Sequence, residues 1–199
     1  MLKTLLILVL ALAAAVGGVY FLAQRGFSTR EQPTALEASI AGSLRDWGVP
    51  AEYRQMSNPV ACSQEVVAEG RAHWADHCAT CHANNGSGDT MLGRGIYPKP
   101  PDMRQTATQH QSDGRLYYTI KNGVRLSGMP AFGEPGDQDT DTWKLVCFVR
   151  RLPQLSFEEE QLMKKLNPKS PEDLEEERQE EQFLNGGATP APENHHHHQ

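Results

Sequence analysis

The chain has 199 residues, 38% of them hydrophobic and 22% charged. That is enough for one domain with appendages, and too little apolar material for a core running the full length. Residues 1–59 hold 5 Lys/Arg against 4 Asp/Glu, residues 60–153 hold 10 against 10, and residues 154–199 hold 4 against 11, so the net charge of −6 belongs to the C-terminal tail. No segment has the basic excess of a nucleic-acid binder, and four cysteines are too few for a disulfide scaffold.

No charged residue occurs between Lys3 and Arg25. As a helix this run reaches the thickness of a hydrocarbon core, roughly 30 Å. Ala13 and Ala15 offer an A-x-A cleavage pattern, but cutting there would leave Val16, Val19, Tyr20, Phe21 and Leu22 at the new terminus. The length favours a retained anchor over a cleaved signal. Lys3 on one side and Arg25 and Arg30 on the other leave the topology open. Next, Thr34 and Glu37 have capping-box spacing, and Leu36, Ile40, Leu44 and Trp47 recur at helical intervals until Gly48 and Pro50. This predicts a short amphipathic helix that lies over the domain or the bilayer, or docks a partner.

Cys78-Ala79-Thr80-Cys81-His82 is a C-x-x-C-H pentapeptide, the attachment pattern of a c-type haem. Two thiols on one helical turn can add to the two haem vinyl groups, with the next histidine held on one face of the iron. A thioredoxin-like C-x-x-C would want a surrounding βαβ pattern, and a zinc site a second ligand pair; neither is present, since Cys62 and Cys147 are isolated. Downstream, Met129 sits between Gly128 and Pro130 in a loop of small and polar residues, a poor place for a packing methionine and a good one for a ligand. Met1, Met56, Met91, Met103 and Met163 lack that setting. A thioether as second axial ligand favours ferrous iron and raises the reduction potential.

In these residues the chain resembles the class I monohaem cytochromes c, in a membrane-anchored bacterial form, over residues 60–153. Gly70 and Trp74, eight and four residues before Cys78, match the family's N-terminal helix. Trp143, Leu145, Val146, Phe148, Val149 and Leu152 match its C-terminal helix. The resemblance implies an all-α haem domain in which these helices cross, with Leu145 and Phe148 meeting Gly70 and Trp74. It implies one covalent haem c on Cys78 and Cys81, with His82 and Met129 as the metal ligands. A proline carbonyl among Pro98, Pro100 and Pro101 should accept a hydrogen bond from His82. Arg94 and Tyr97 resemble residues of the propionate side, or are simply solvated. Tyr117, Tyr118 and Ile120 should form a buried helix face over the haem, ended by Asn122-Gly123.

Cys147 reads as a buried packing residue, or as the partner of Cys62 in a disulfide tying the domain's ends. His73 and His77 have a metal-capable spacing but read as surface residues beside the crevice, and His110 has no evident partner. In the tail, Ser156 and Glu159 make a capping box for a helix ended by Asn167-Pro168, and Ser170-Pro171 opens another, stopped by Gly186-Gly187. The tail should be a solvated helical extension, ending in His195, His196, His197 and His198, which could hold a divalent metal weakly.

The organisation expected is an anchor at 1–25, a linker at 26–59, the haem domain at 60–153 and an acidic tail at 154–199. The expected function is single-electron transfer between respiratory or dehydrogenase partners, by a single-pass protein of the cytoplasmic membrane. Bacterial c-type haem is attached after export, which puts the haem domain in the periplasm. The alternatives are a fixed subunit of an oxidase or dehydrogenase complex, and a gas-sensing or peroxidatic protein in which Met129 dissociates.

Overall fold

Side-chain N-caps at Thr34, Ser63, Thr90, Ser112, Asp139 and Ser156 open six helices of the computed structural model, which describes residues 2–24, 28–133 and 139–184. No strand occurs among the described residues, so the architecture is all-α.

Helix α1 (Leu2–Gln24) takes up the uncharged run. None of its residues is buried, and it is long and apolar enough to cross a membrane. The Thr34–Glu37 capping box forms in both directions and starts α2 (Ala35–Gly48). Two polar contacts hold α2 to the domain: the Tyr97 hydroxyl donates to Glu37, and Arg115 pairs with Asp46. Its apolar stripe, Leu36, Ile40, Leu44 and Trp47, faces away and is exposed. After a turn around buried Val49, the short α3 (Ala51–Gln55) leads into the domain, where Gly114 N–H donates to the Met56 carbonyl at 3.1 Å.

Ser63 caps α4 (Gln64–His73), which continues as a five-residue π turn, Trp74–Cys78, closed by Ala79 N–H donating to the Trp74 carbonyl. Such turns are rare and are frequent at functional sites. Then come α5 (Ala79–His82), α6 (Met91–Gly95), α7 (Thr106–Gln109), α8 (Asp113–Asn122) and α9 (Thr140–Arg151).

The core forms where α4 and its π turn cross α9. Here Gly70 is required by close approach: a Cβ on it would collide with the backbone carbonyl of Lys144 and stand 3.1 Å from Phe148 Cβ. Trp74 and Phe148 pack with ring centroids 5.7 Å apart, and Leu145 and Val146 are buried beside them. The expected crossing is therefore present, with the Lys144 carbonyl as the nearest atom to Gly70. From α8, Tyr117 stacks on Trp143 at 4.0 Å.

Cys62 and Cys147 form a disulfide with a Cα–Cα distance of 5.4 Å. Asn58 Nδ2 donates to the Trp143 carbonyl at 3.0 Å and lies 3.2 Å from Cys147 Sγ.

Beyond residue 153 the chain is not wholly solvated. Helix α10 (Phe157–Lys164), with its Ser156–Glu159 capping box, buries Met163 completely. Glu159 pairs with Arg71 of α4 at 3.2 Å, and Asn167 Nδ2 donates to the Ala75 carbonyl at 2.7 Å. A 46-residue acidic segment reads as solvated because its composition is polar, yet one methionine, one glutamate and one asparagine suffice to seat its first helix. Helix α11 (Pro171–Leu184) is the exposed, acidic extension expected, capped by Ser170 and Asp173. The glycine pair predicted to stop it and the histidines 195–198 lie outside the described residues.

Candidate functional site

The π turn and α5 deliver the C-x-x-C-H residues to one wall of a cleft, and the loop after α8 delivers Met129 to another part of the same lining. Cys78, Cys81, His82 and Met129 are thus brought together. The cleft has about 750 Å³ of space between its walls, part of it open to solvent, and Ile96, Val124, Phe132 and four prolines give it an apolar surface.

Both thiols are free. Cys78 is buried, and loss of hydration together with nearby Cys81 pushes its thiol up to about 12. Burial also raises the Cys81 thiol. His82 packs against Trp74 with centroids 5.5 Å apart, while Trp74 Nε1 donates to the Ala83 carbonyl at 3.0 Å. Burial lowers the His82 imidazole to about 4, so the ring is neutral at physiological pH with a lone pair free to ligate.

His82 Nδ1 is shielded from solvent and has no hydrogen-bond partner. The proline carbonyl expected to accept from it does not, although Pro98, Pro100 and Pro101 all line the cleft. Gly88 lets the Pro100 segment come this close. Its φ is +73°, and a Cβ there would lie 2.5 Å from the Pro100 carbonyl oxygen. That oxygen is thus packed against Gly88.

Met129 is held by its own loop. Its N–H donates to Ser127 Oγ at 3.1 Å, and its carbonyl accepts from Val124 N–H at 3.0 Å. Phe132 N–H and Gly133 N–H donate to the carbonyls of Ile120 and Lys121, tying the loop to the end of α8.

One expectation needs correction, and one open reading is resolved. Tyr117, Tyr118 and Ile120 do not line the cleft: Tyr117 and Tyr118 pack on Tyr53 from α3, and Tyr117 also on Trp143. Helical spacing shows which residues share a face, not what covers it. Arg94 and Tyr97 are not cleft residues either, because Arg94 pairs with Asp89 and Tyr97 with Glu37. His77 does line the cleft, but the described residues contain no group of three His, Cys, Asp or Glu able to hold a metal ion. Neighbouring His73 is shifted down, by burial first and then by the His77 charge.

Sequence reasoning missed Arg45 and Lys99, which also line the cleft. Arg45 comes from α2, outside the helices that carry the motif, and no local pattern marks it.

The residues fit a haem. The cleft is largely apolar, and its lining combines two free thiols, a neutral imidazole and a thioether, the donor set for thioether attachment and soft axial ligation. Comparison with known families agrees. Residues 65–149 match the family described as "Cytochrome C oxidase, cbb3-type, subunit III". No curated protein matches the chain.

Proposed function

We propose that the chain is a membrane-anchored monohaem cytochrome with covalent haem c, a reading supported by the match of residues 65–149 to a cytochrome family. It passes single electrons between redox proteins on the outer side of the cytoplasmic membrane. The observation that carries this reading is the meeting of Cys78, Cys81, His82 and Met129 in one largely apolar cleft. In this proposal Cys78 and Cys81 hold the group as thioethers, and His82 and Met129 are its metal ligands. Bound haem supplies an iron that takes up and releases one electron. His82 contributes a neutral imidazole, and the hydrogen bonds at Val124 and Ser127 keep the Met129 backbone fixed. Holding both ligands through a change of oxidation state keeps reorganisation small, which suits electron transfer. Helix α1 serves as the anchor, with residues 60–153 as the haem domain in the periplasm.

A second reading, a fixed haem-bearing subunit of an oxidase, is favoured by the description of the matching family. Purification from native membranes separates the two: co-purification with a complex at fixed stoichiometry indicates a subunit.

The test of the core reading has two parts. The mature protein should gain the mass of one haem, resist acid–acetone extraction, and lose covalent haem in Cys78→Ala plus Cys81→Ala. Carbon monoxide added to the reduced protein at neutral pH should leave its spectrum unchanged, whereas Met129→Ala should bind the gas. Extractable haem would refute the attachment, and rapid binding of the gas by the wild type would refute the closed-iron carrier.

A further inference from the structure

The cleft lining has a charge asymmetry that the C-x-x-C-H motif and Met129 do not account for. Two permanent cations, Arg45 and Lys99, line it, and no aspartate or glutamate does. Arg45 lies twenty residues before the matched segment begins. Its nearest carboxylate is poorly placed, with Arg45 Nε 3.9 Å from Asp46 Oδ1. That same oxygen is taken by Arg115 of α8. Lys99, between two of the cleft prolines, makes no hydrogen bond or ion pair with the described residues. Helix α2 is meanwhile pinned near both its ends, by Glu37 to Tyr97 and by Asp46 to Arg115. These contacts set the helix in place, with Arg45 among the residues that line the cleft.

Haem brings two carboxylates of its own. We propose that Arg45 and Lys99 pair with the haem carboxylates, so that α2, an element outside the cytochrome c segment, is part of the cofactor site. Arg45 is the stronger partner, because its planar fork can hold a carboxylate through two hydrogen bonds. Both are positioning residues, acting on the iron through its carboxylates and through their own charge. A cation beside the carboxylates disfavours the more positive ferric state, so its removal lowers the reduction potential. The proposal rests on the haem-site reading above.

The experiment compares the purified holoprotein with Arg45→Gln, Lys99→Gln, Arg45→Lys and Arg94→Gln, all with covalent haem confirmed by mass. Arg45→Gln should shift the one-electron equilibrium toward the ferric form about threefold, the effect of one half-exposed ion pair. Redox-induced infrared difference spectra should show the haem carboxylate bands displaced in Arg45→Gln and Lys99→Gln. Arg45→Lys should restore most of the potential. Arg94→Gln, which breaks a pair outside the cleft, should change neither readout. Unchanged potential and carboxylate bands in Arg45→Gln and Lys99→Gln, with haem attached and six-coordinate, would overturn the proposal while leaving the haem-site reading intact. Absence of covalent haem in the wild type would instead refute that reading. If the cations served acidic side chains of a redox partner, the isolated variants would keep the wild-type potential while their partner binding weakened, and that result also overturns the proposal.

Discussion

Replacing Gly70 by alanine tests the helix crossing on which the whole site is built. A Cβ at this position would stand 2.8 Å from the Lys144 carbonyl carbon and 3.1 Å from Phe148 Cβ, with the Lys144 oxygen closer still. Ordinary contact begins near 3.4 Å, so α4 and α9 must separate by at least about 0.6 Å. The obstructing atoms are mostly backbone, which cannot rotate aside. Overpacking of this kind costs about 1–3 kcal/mol, and the rigid contact puts Gly70→Ala near the upper end. Alanine returns about 1 kcal/mol of helix propensity, leaving a net loss of about 2 kcal/mol. For a domain of this size that lowers Tm by roughly 8–16 °C. Urea and thermal unfolding of the holoprotein measure it. Gly95→Ala is the control, since nothing lies within 4 Å of a Cβ there. Equal stability of Gly70→Ala and wild type would refute the close crossing.

Two further predictions concern how the domain is closed. Cys62→Ala opens a cross-link spanning 85 residues, worth at most about 4.5 kcal/mol by loop-closure entropy. The urea midpoint should fall while covalent haem is retained, and an unchanged midpoint would remove the stabilising role. Glu159 carries a pH dependence. Its carboxyl is held below the usual glutamate range, chiefly by the Ser156 N–H and then by Arg151 and Arg71. A depressed folded pKa contributes stability that is present above the unfolded value near 4.5 and is lost as pH falls through the folded one. Glu159→Gln should therefore cost about 1 kcal/mol at pH 7, with the difference shrinking as pH falls below 4.5 and through the lower folded value; a constant difference over that fall would exclude the charge as the cause.

Those elements whose logic is local could be read directly from the sequence. The capping boxes at Thr34 and Ser156 form as spaced, the stop at Gly48 holds, and the pentapeptide and Met129 share a cleft. Gly70 in a helical run signalled a close approach, because only a packing reason offsets its cost in a helix. Contacts between distant segments were hidden. Nothing near Met163 or Asn167 indicates that they seat α10 against the π turn, and nothing near Arg45 marks it as a cleft residue. The disulfide stayed open for the same reason, since spacing gives no Cα separation. Arg94 and Tyr97 stayed open between two readings because a loop cation and a tyrosine look alike whether they face a cleft or a neighbouring carboxylate.

The pairing of Cys62 with Cys147, beside two free thiols at Cys78 and Cys81, imposes an order on maturation. Four thiols can be joined in three ways, and encounter kinetics favour the wrong one: Cys78 and Cys81 meet far more often than partners 85 residues apart. The folded domain is a poor place to repair that error, because a thiolate that attacks the Cys78–Cys81 bond must expel a sulfur, and a Cys78 thiol pushed up to about 12 makes that sulfur a poor leaving group. If Cys78 and Cys81 carry the haem as proposed, that pair has to be kept reduced and spent on the cofactor before the two thiols join each other. A chain that oxidises faster than it is loaded would be trapped with a closed pentapeptide, so the ratio of those two rates, rather than the stability of the finished fold, sets the yield of working protein.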